Sequence, residues 1–345
     1  MKRMTQTPEL LTEKQNGTGV ITLNRPGALN ALSLPMIRGI RSALQNWAAD
    51  PDVHTVVFTG AGNKAFCAGG DVKAVYEAGI FDRNTDLARE YFAEEYQMNR
   101  EIFHFPKKTV AIMDGITMGG GFGVAGPCKI RIATENTVFA MPEVGIGLFP
   151  DVGSMYALTR VPDRLGHWLA LTGEKVTGLG MMASGLATHF VMSNDIHPND
   201  INGMLEKAQI RHDLETETKQ FVSEITSRCF NFKRVEDVLD CLNEDKSDFA
   251  LQTVSLIRSK CPTSVKLTHA YFQKMMDKSF NEVTAMDYRL AIRCMMGDEF
   301  YEGIRAQLID KDKNPQWNPA RLEDVSEEVI EAYFNNDLPD LDSTL

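Results

Sequence analysis

Two short apolar runs in this chain end in glycine turns, KAFCAGGD at 64–71 and DGITMGGGFGVAG at 114–126. That arrangement narrows the folds open to it, because glycine permits positive φ and close backbone approach with no Cβ in the way. In the first run, Asp71 follows Gly69 and Gly70 and is placed to cap a helix over VKAVYEAG, whose first N–H groups are free. Read alone, this is equally a plain strand-turn-helix junction. In the second, Gly119, Gly120 and Gly121 open a short buried helix. Its free N–H groups can hold an anion or a developing oxyanion. Gly121, Gly123 and Gly126 also match the spacing of the dinucleotide-binding fingerprint, but the context fails. GITM separates the strand from the glycines, and Pro127 interrupts any helix leading out. A nicotinamide-binding fold is therefore not expected.

Around these turns the pattern alternates. TGVITLN at 18–24 and HTVVFT at 54–59 read as strands. Between them, Met36, Ile40, Leu44 and Trp47 recur at helical spacing behind Ser33, an N-cap candidate, and Pro35 in the first turn. TVAIM at 109–113 is a further strand. CKIRI at 128–132 is another, running on into TVFAM. From Asp163 onward the pattern turns mostly helical. The expected class is α/β: a mixed core over 1–200 made of β-β-α units, followed by a helical region over 201–345.

The segment MPEVGIGLFPDVG at 141–153 carries two acids, Glu143 and Asp151, each behind a proline and otherwise among apolar residues and glycines. Ile146, Leu148 and Phe149 should be buried around them. Asp151 is also a candidate N-cap for VGSMYALTRV. Acids in apolar surroundings have the raised pKa values that general-base chemistry requires. A helix over 86–103 adds another acid, Glu95, inside the stripe of Leu87, Tyr91, Met98 and Ile102. Periodicity alone slightly favours Glu95 at the stripe's edge, reaching solvent.

Composition limits the partners. The 345 residues carry a formal net charge of −11, against nucleic-acid binding, which needs clustered cations. No run reaches the length of a membrane span. Of the six cysteines none forms a C-x-x-C pair, and the N-terminus MKRMTQTPEL lacks the pattern of a signal peptide or organelle presequence. Reduced thiols and a cytoplasmic location are expected. The seven histidines show no metal-ligand spacing. Asp310, Asp312 and Asn314 begin like a calcium loop, but Pro315 and Arg321 stand where Gly and Glu are needed.

Taken together, LNRPGALNALS, KAFCAGGDVK, the strand leading to DGITMGGG, FAMPEVGIGLFPDVG and LALTGEKV resemble the enoyl-CoA hydratase/isomerase (crotonase) superfamily in order and spacing, over most of the chain. Within it the chain looks most like the 3-hydroxyisobutyryl-CoA hydrolases. The features are ITMGGGFG followed by PEVGIGLFPDVG, the EEY at 94–96, and the tail EGIRAQLIDKDKNPQWNP. The resemblance implies a crotonase-like spiral and an oxyanion hole formed by the N–H groups of Gly70 and Gly120. It implies Glu143 as the catalytic carboxylate, and Asp151 and Glu95 lining the substrate pocket with Gly120. The first glutamate of the hydratase pair would fall on Gly123, which argues against double-bond hydration.

The resemblance also implies hydrolysis of 3-hydroxyacyl-CoA thioesters, 3-hydroxyisobutyryl-CoA from valine breakdown foremost, with no metal and no cofactor, CoA being part of the substrate. The alternatives are an enoyl-CoA hydratase or isomerase and a non-catalytic acyl-CoA binder. Arg25, Lys64, Lys73, Lys311 and Lys313 are candidate contacts for the CoA phosphates. Superfamily members commonly form trimers or hexamers, so a homo-oligomer is one expectation; the helical C-terminal region is placed to block or replace that packing.

Overall fold

The computed structural model describes residues 8–82, 86–208 and 217–341. The reading of the N-terminal segment as free of a leader falls mainly on residues 1–7, outside the described residues. Two sheets form the centre. The larger contains β1 (Leu10–Gln15), β2 (Thr18–Leu23), β3 (Thr55–Gly60), β5 (Lys108–Met113), β7 (Ile130–Ala133) and β10 (His189–Phe190), in the spatial order β1-β2-β3-β5-β7-β10. The smaller has the order β4-β6-β8-β9, from β4 (Ala65–Cys67), β6 (Ile116–Met118), β8 (Val138–Ala140) and β9 (Val176–Thr177). All neighbours run parallel except β1 against β2 and β9 against β8.

Successive strands thus step from one sheet to the other, β3 to β4, β5 to β6 and β7 to β8. This is the expected β-β-α spiral. Parallel neighbours need crossovers, and helices lie in them: α1 (Leu34–Ala49) between β2 and β3, then α2 (Val72–Asp82) and α3 (Asp86–Phe103) between β3 and β5. The Ser33 side chain accepts a hydrogen bond from the Met36 N–H, as its cap position predicts. The strand expected to run from CKIRI into TVFAM is instead broken. Thr134 N–H bonds Thr137 Oγ1 at 2.7 Å, and this turn carries the chain from β7 across to β8 in the other sheet. β1 was not expected from sequence. It pairs with β2 across the two-residue turn Asn16-Gly17, both at positive φ, the hairpin geometry that Asn-Gly favours.

The remaining helices follow. α4 (Gly120–Ala125) is fully buried, and α5 (Ser154–Leu158), α6 (Leu165–Thr172), α7 (Gly178–Ser184) and α8 (Ile201–Glu206) lead outward. α9 (Glu217–Cys229), α10 (Val235–Asp245), α11 (Asp248–Arg258), α12 (Pro262–Met275), α13 (Phe280–Met296), α14 (Glu299–Ile304) and α15 (Glu327–Ala332) make up the rest. Tyr271, Phe272, Val283 and Phe300 from this later part share one apolar core with Phe58, Phe122 and Phe149. A satellite core gathers Ile225, Phe230, Val238, Leu242 and Ile257.

The expectation that all thiols are reduced is corrected here. α9 and α10 pack side by side and bring Cys229 and Cys241 to a Cα–Cα distance of 5.5 Å, where they form a disulfide. The spacing falls in the range a disulfide spans. Cys67, Cys128, Cys261 and Cys294 are free and buried. Among the described residues, no helix is long and apolar enough to cross a membrane.

Candidate active site

β4 and β6 are neighbours, with Cys67 paired to Thr117. Gly70 and Gly120 each lie three residues beyond these partners, so the two glycine turns emerge side by side. A Cβ built at Gly120 would stand 2.9 Å from the Gly70 nitrogen and 2.5 Å from Glu95 Oε1. Only glycine fits that gap. Among the described residues, neither the Gly70 nor the Gly120 N–H donates to a protein acceptor. They form a pair of backbone donors with no internal partner.

Tyr91 fixes the first turn. Its hydroxyl donates to the Leu32 carbonyl at 2.9 Å and accepts from the Asp71 N–H at 3.1 Å. The Asp71 carboxylate, expected to cap α2, instead pairs with Arg25 at 2.9 Å. Arg25 also meets Glu9 at 3.2 Å and the Ala31 carbonyl at 2.8 Å. These bonds engage the Arg25 guanidinium with Glu9, Asp71 and Ala31. Lys64, Lys311 and Lys313 are exposed, and exposed Lys73 sits 3.6 Å from Glu77.

Three carboxyl groups close over the paired amides. Glu95 is 2% exposed, so the expected outlet to solvent is absent. α3 is packed by α1, α4 and α13, leaving its stripe no free edge. Glu95 Oε1 has no hydrogen-bond partner and lies 3.6 Å from a Cβ built at Gly70. Glu143 is 5% exposed. Its Oε1 approaches to 2.8 Å of a Cβ built at Gly119, and its Oε2 has no hydrogen-bond partner. Asp151 is 4% exposed, and its Oδ2 accepts a 2.6 Å bond from the Tyr96 hydroxyl. Its expected N-cap role goes elsewhere: α5 is capped by Gly153, and only the Asp151 backbone carbonyl bonds the Ser154 N–H. Leu148 and Phe149 are buried around the acids as expected, while Ile146 is half-buried.

The electrostatics follow from burial. Desolvation raises the Asp151 carboxyl to about 6, partly offset by the Tyr96 bond. Glu143 is pushed well above its usual range by burial first and by the charge of Asp151 second. Glu95 is raised for the same two reasons. Buried acids this close cannot all ionise at once. The hydrogen bond from Tyr96 selects Asp151 as the first to lose its proton.

Gly123 explains a further feature. A Cβ there would meet the Val152 Cβ at 2.7 Å and Asn99 Nδ2 at 3.1 Å. Val152 thus fills the space beyond this position. The arrangement provides two amide donors with Glu95 against both glycines, Glu143 against the adjoining Gly119, and Asp151 as a third buried acid coupled to them. Sequence reasoning missed Tyr91, Tyr96 and Asp287, which hold these groups. Tyr91 read as a residue of the apolar stripe, and Tyr96 entered only through the EEY motif, next to Glu95.

Comparison with known proteins agrees with this geometry. Residues 18–334 match the enoyl-CoA hydratase/isomerase family. The chain belongs to that family. Among curated family relatives, the protein named 3-hydroxyisobutyryl-CoA hydrolase, mitochondrial, of Rattus norvegicus is 44% identical, over 97% of this chain and 91% of its own. Its namesake in Homo sapiens is 41% identical, over 95% and 89%. Among solved structures of the family, a carnitinyl-CoA dehydratase from Mycobacterium thermoresistibile superposes with a TM-score of 0.90 at 34% identity, over 97% of this chain and 98% of that one. An enoyl-CoA hydratase from Rhodobacter sphaeroides gives 0.87 at 33%, over 94% and 97%. The curated relatives are mitochondrial proteins, which overturns the expected cytoplasmic location. The absence of a C-x-x-C pair and an unremarkable N-terminal composition do not distinguish the two compartments.

Proposed function

We propose that this protein hydrolyses 3-hydroxyacyl-CoA thioesters, 3-hydroxyisobutyryl-CoA foremost, to the free 3-hydroxy acid and coenzyme A. The observation that carries the reading is the pair of Gly70 and Gly120 amides with two buried carboxyls around them, Glu95 against both glycines and Glu143 against the adjoining Gly119, and with Val152 packed against position 123. Relatives named 3-hydroxyisobutyryl-CoA hydrolase, at 41–44% identity over nearly the whole chain, support it.

Attack on a thioester builds negative charge on the carbonyl oxygen. The two N–H groups receive that charge, and each aligned donor is worth about 3 kcal/mol. Glu143 supplies the other half of the chemistry. As a base it takes a proton from water as the water attacks; as a nucleophile it forms a mixed anhydride that water then opens. Asp151 accepts a hydrogen bond from the substrate's 3-hydroxyl. An analogue lacking that hydroxyl leaves the second oxygen of this buried carboxylate, the one not bonded by Tyr96, without a donor and is rejected. CoA is part of the substrate, and the reaction so written draws on no resident cofactor.

Two solved neighbours bear dehydratase and hydratase names. Hydration by a carboxylate pair is disfavoured because position 123 offers no side chain and Val152 crowds it. The test is thiol release from 3-hydroxyisobutyryl-CoA by the wild type and by Glu143→Gln. Release that collapses in the variant supports the reading. A wild type that frees no thiol sinks it, and crotonyl-CoA hydration would then be assayed.

A further inference from the structure

The C-terminal helices grip the site through one carboxyl group. Asp287, on α13, is 0% exposed. Its Oδ2 accepts a 2.7 Å bond from the Gly153 N–H, and its Oδ1 accepts a 2.5 Å bond from the Tyr271 hydroxyl on α12. The segment it holds is Asp151-Val152-Gly153, where Val152 has φ +55° and Gly153 φ +73°. Left-handed geometry is costly for a β-branched residue such as Val152. Such a conformation persists only where the surroundings enforce it. Tyr96 holds the Asp151 end of the segment, and Asp287 holds the Gly153 end.

We propose that Asp287 is a positioning residue for the hydrolytic site, locking the 151–153 turn so that Asp151 presents its carboxylate to the substrate's 3-hydroxyl. The inference rests on the function proposed above and extends it to substrate discrimination. A carboxyl group serving only to stabilise the core would be an expensive choice, since a buried acid costs more than the apolar packing that replaces it. What the acid provides that an apolar residue does not is a directed acceptor for the Gly153 N–H.

The charged and titratable groups facing Asp287 are Asp151 on the turn, Tyr96 and Arg100 on α3, and Tyr271 on α12. Burial and the charge of Asp151 raise the Asp287 carboxyl. The bonds from Tyr271 and Gly153 and the Arg100 charge pull it back. Arg100 is itself tied to α13, through Thr284 Oγ1 at 2.7 Å and the Asn281 carbonyl at 2.8 Å. Arg100 thus ties α3 to α13 beside the turn.

The experiment measures CoA release from 3-hydroxyisobutyryl-CoA and from isobutyryl-CoA, which lacks the hydroxyl. The variants are Asp287→Ala, Asp287→Asn, Asp151→Asn and the Asp287→Ala/Asp151→Asn double, with Tm recorded for each. Asp287→Ala should lower the ratio of kcat/KM values, hydroxylated over plain, by about tenfold or more. Asp287→Asn keeps an acceptor for Gly153 and should restore most of the ratio. The double variant should discriminate no worse than Asp151→Asn alone, because Asp287 acts through Asp151.

Equal losses on both substrates, or losses in discrimination that multiply in the double variant, would overturn the proposal. If Asp287→Ala does not fold, Tyr271→Phe carries the test, because it removes the hydroxyl that orients Asp287 Oδ1. It should lower the ratio of kcat/KM values, hydroxylated over plain, and a ratio equal to that of the wild type overturns the inference. A wild type inactive on 3-hydroxyisobutyryl-CoA refutes the function itself, and the role of Asp287 falls with it. An active wild type with unaltered discrimination in the variants places the failure on Asp287 alone.

Discussion

The Tyr96 hydroxyl donates a 2.6 Å hydrogen bond to Asp151 Oδ2, tying α3 to the turn behind Pro150. This bond favours the ionised form of an acid that burial would otherwise keep protonated. Tyr96→Phe should therefore raise the Asp151 pKa further. A hydrogen bond to a charged group is worth about 1.5–3 kcal/mol. At neutral pH, kcat/KM on 3-hydroxyisobutyryl-CoA should fall roughly 10- to 100-fold, with partial recovery as the pH is raised and Asp151 ionises. Steady-state kinetics across pH would reveal the recovery, and a loss that is the same at every pH would refute the account.

In the proposed reaction Glu143 acts only after losing its proton. Burial and the neighbouring Asp151 charge place its pKa well above the usual 4.5. The kcat/KM profile, which reports the free enzyme, should rise with pH along a limb above that value and then level off. A limb at or below the ordinary glutamate range would contradict the raised pKa.

The same burial has a consequence for stability. Asp151 is raised from 3.8 to about 6 in the folded chain. Below pH ~4 both folded and unfolded forms hold the proton. Between roughly pH 4 and pH 6 the unfolded chain ionises first, so this acid's support for the fold is lost as pH rises through the folded pKa. The loss is on the order of 3 kcal/mol. Asp151→Asn should then be more stable than the wild type at pH 7, with the difference shrinking toward pH 4. Denaturant melts at both values would test this.

Gly120→Ala inserts a methyl group 2.5 Å from Glu95 Oε1 and 2.9 Å from the Gly70 nitrogen. The two donors must part. Activity should drop about 100- to 1,000-fold, the cost of losing one oxyanion donor. Circular dichroism would establish that the variant remains folded; a well-folded variant with near wild-type kcat would mean that these amides do not serve the reaction.

Gly123→Glu restores the residue type that the two-carboxylate scheme calls for, but its Cβ would fall 2.7 Å from the Val152 Cβ. Overpacking and a buried acid should cost about 3 kcal/mol or more, with no hydration of crotonyl-CoA gained. Adding Val152→Ala should recover part of the stability. Melting temperature and loss of the enoyl absorbance are the readouts, and efficient hydration by the single variant would show that Val152 is no barrier.

Much of the proposed site is legible in the sequence. The glycine turns, Glu143 and Asp151 stand in short segments whose composition is hard to explain otherwise, and Ser33 capped the helix that its spacing predicted. What could not be read was whatever depended on distant partners. Glu95 looked like a stripe-edge acid because periodicity describes one helix, whereas its burial comes from the helices packed around α3. Asp287 is 134 residues from the Gly153 amide it holds. The Cys229–Cys241 link follows from the packing of α9 against α10, which no C-x-x-C spacing announces. The β1 hairpin is a different case: Asn16-Gly17 signalled it, but the polar, exposed strand LLTEKQ hid the signal.

The parallel register of β4 and β6 reaches further than the fold. Strand separation in a ladder is nearly invariant, about 4.8 Å, and here it sets the footing from which both N–H donors rise. The gauge of the proposed oxyanion cradle thus belongs to the backbone. Side-chain replacement can obstruct this cradle but has little means to widen or narrow it. Divergence toward other thioesters would therefore have to proceed through the flanking acids and the turn that carries them, with the cradle held constant.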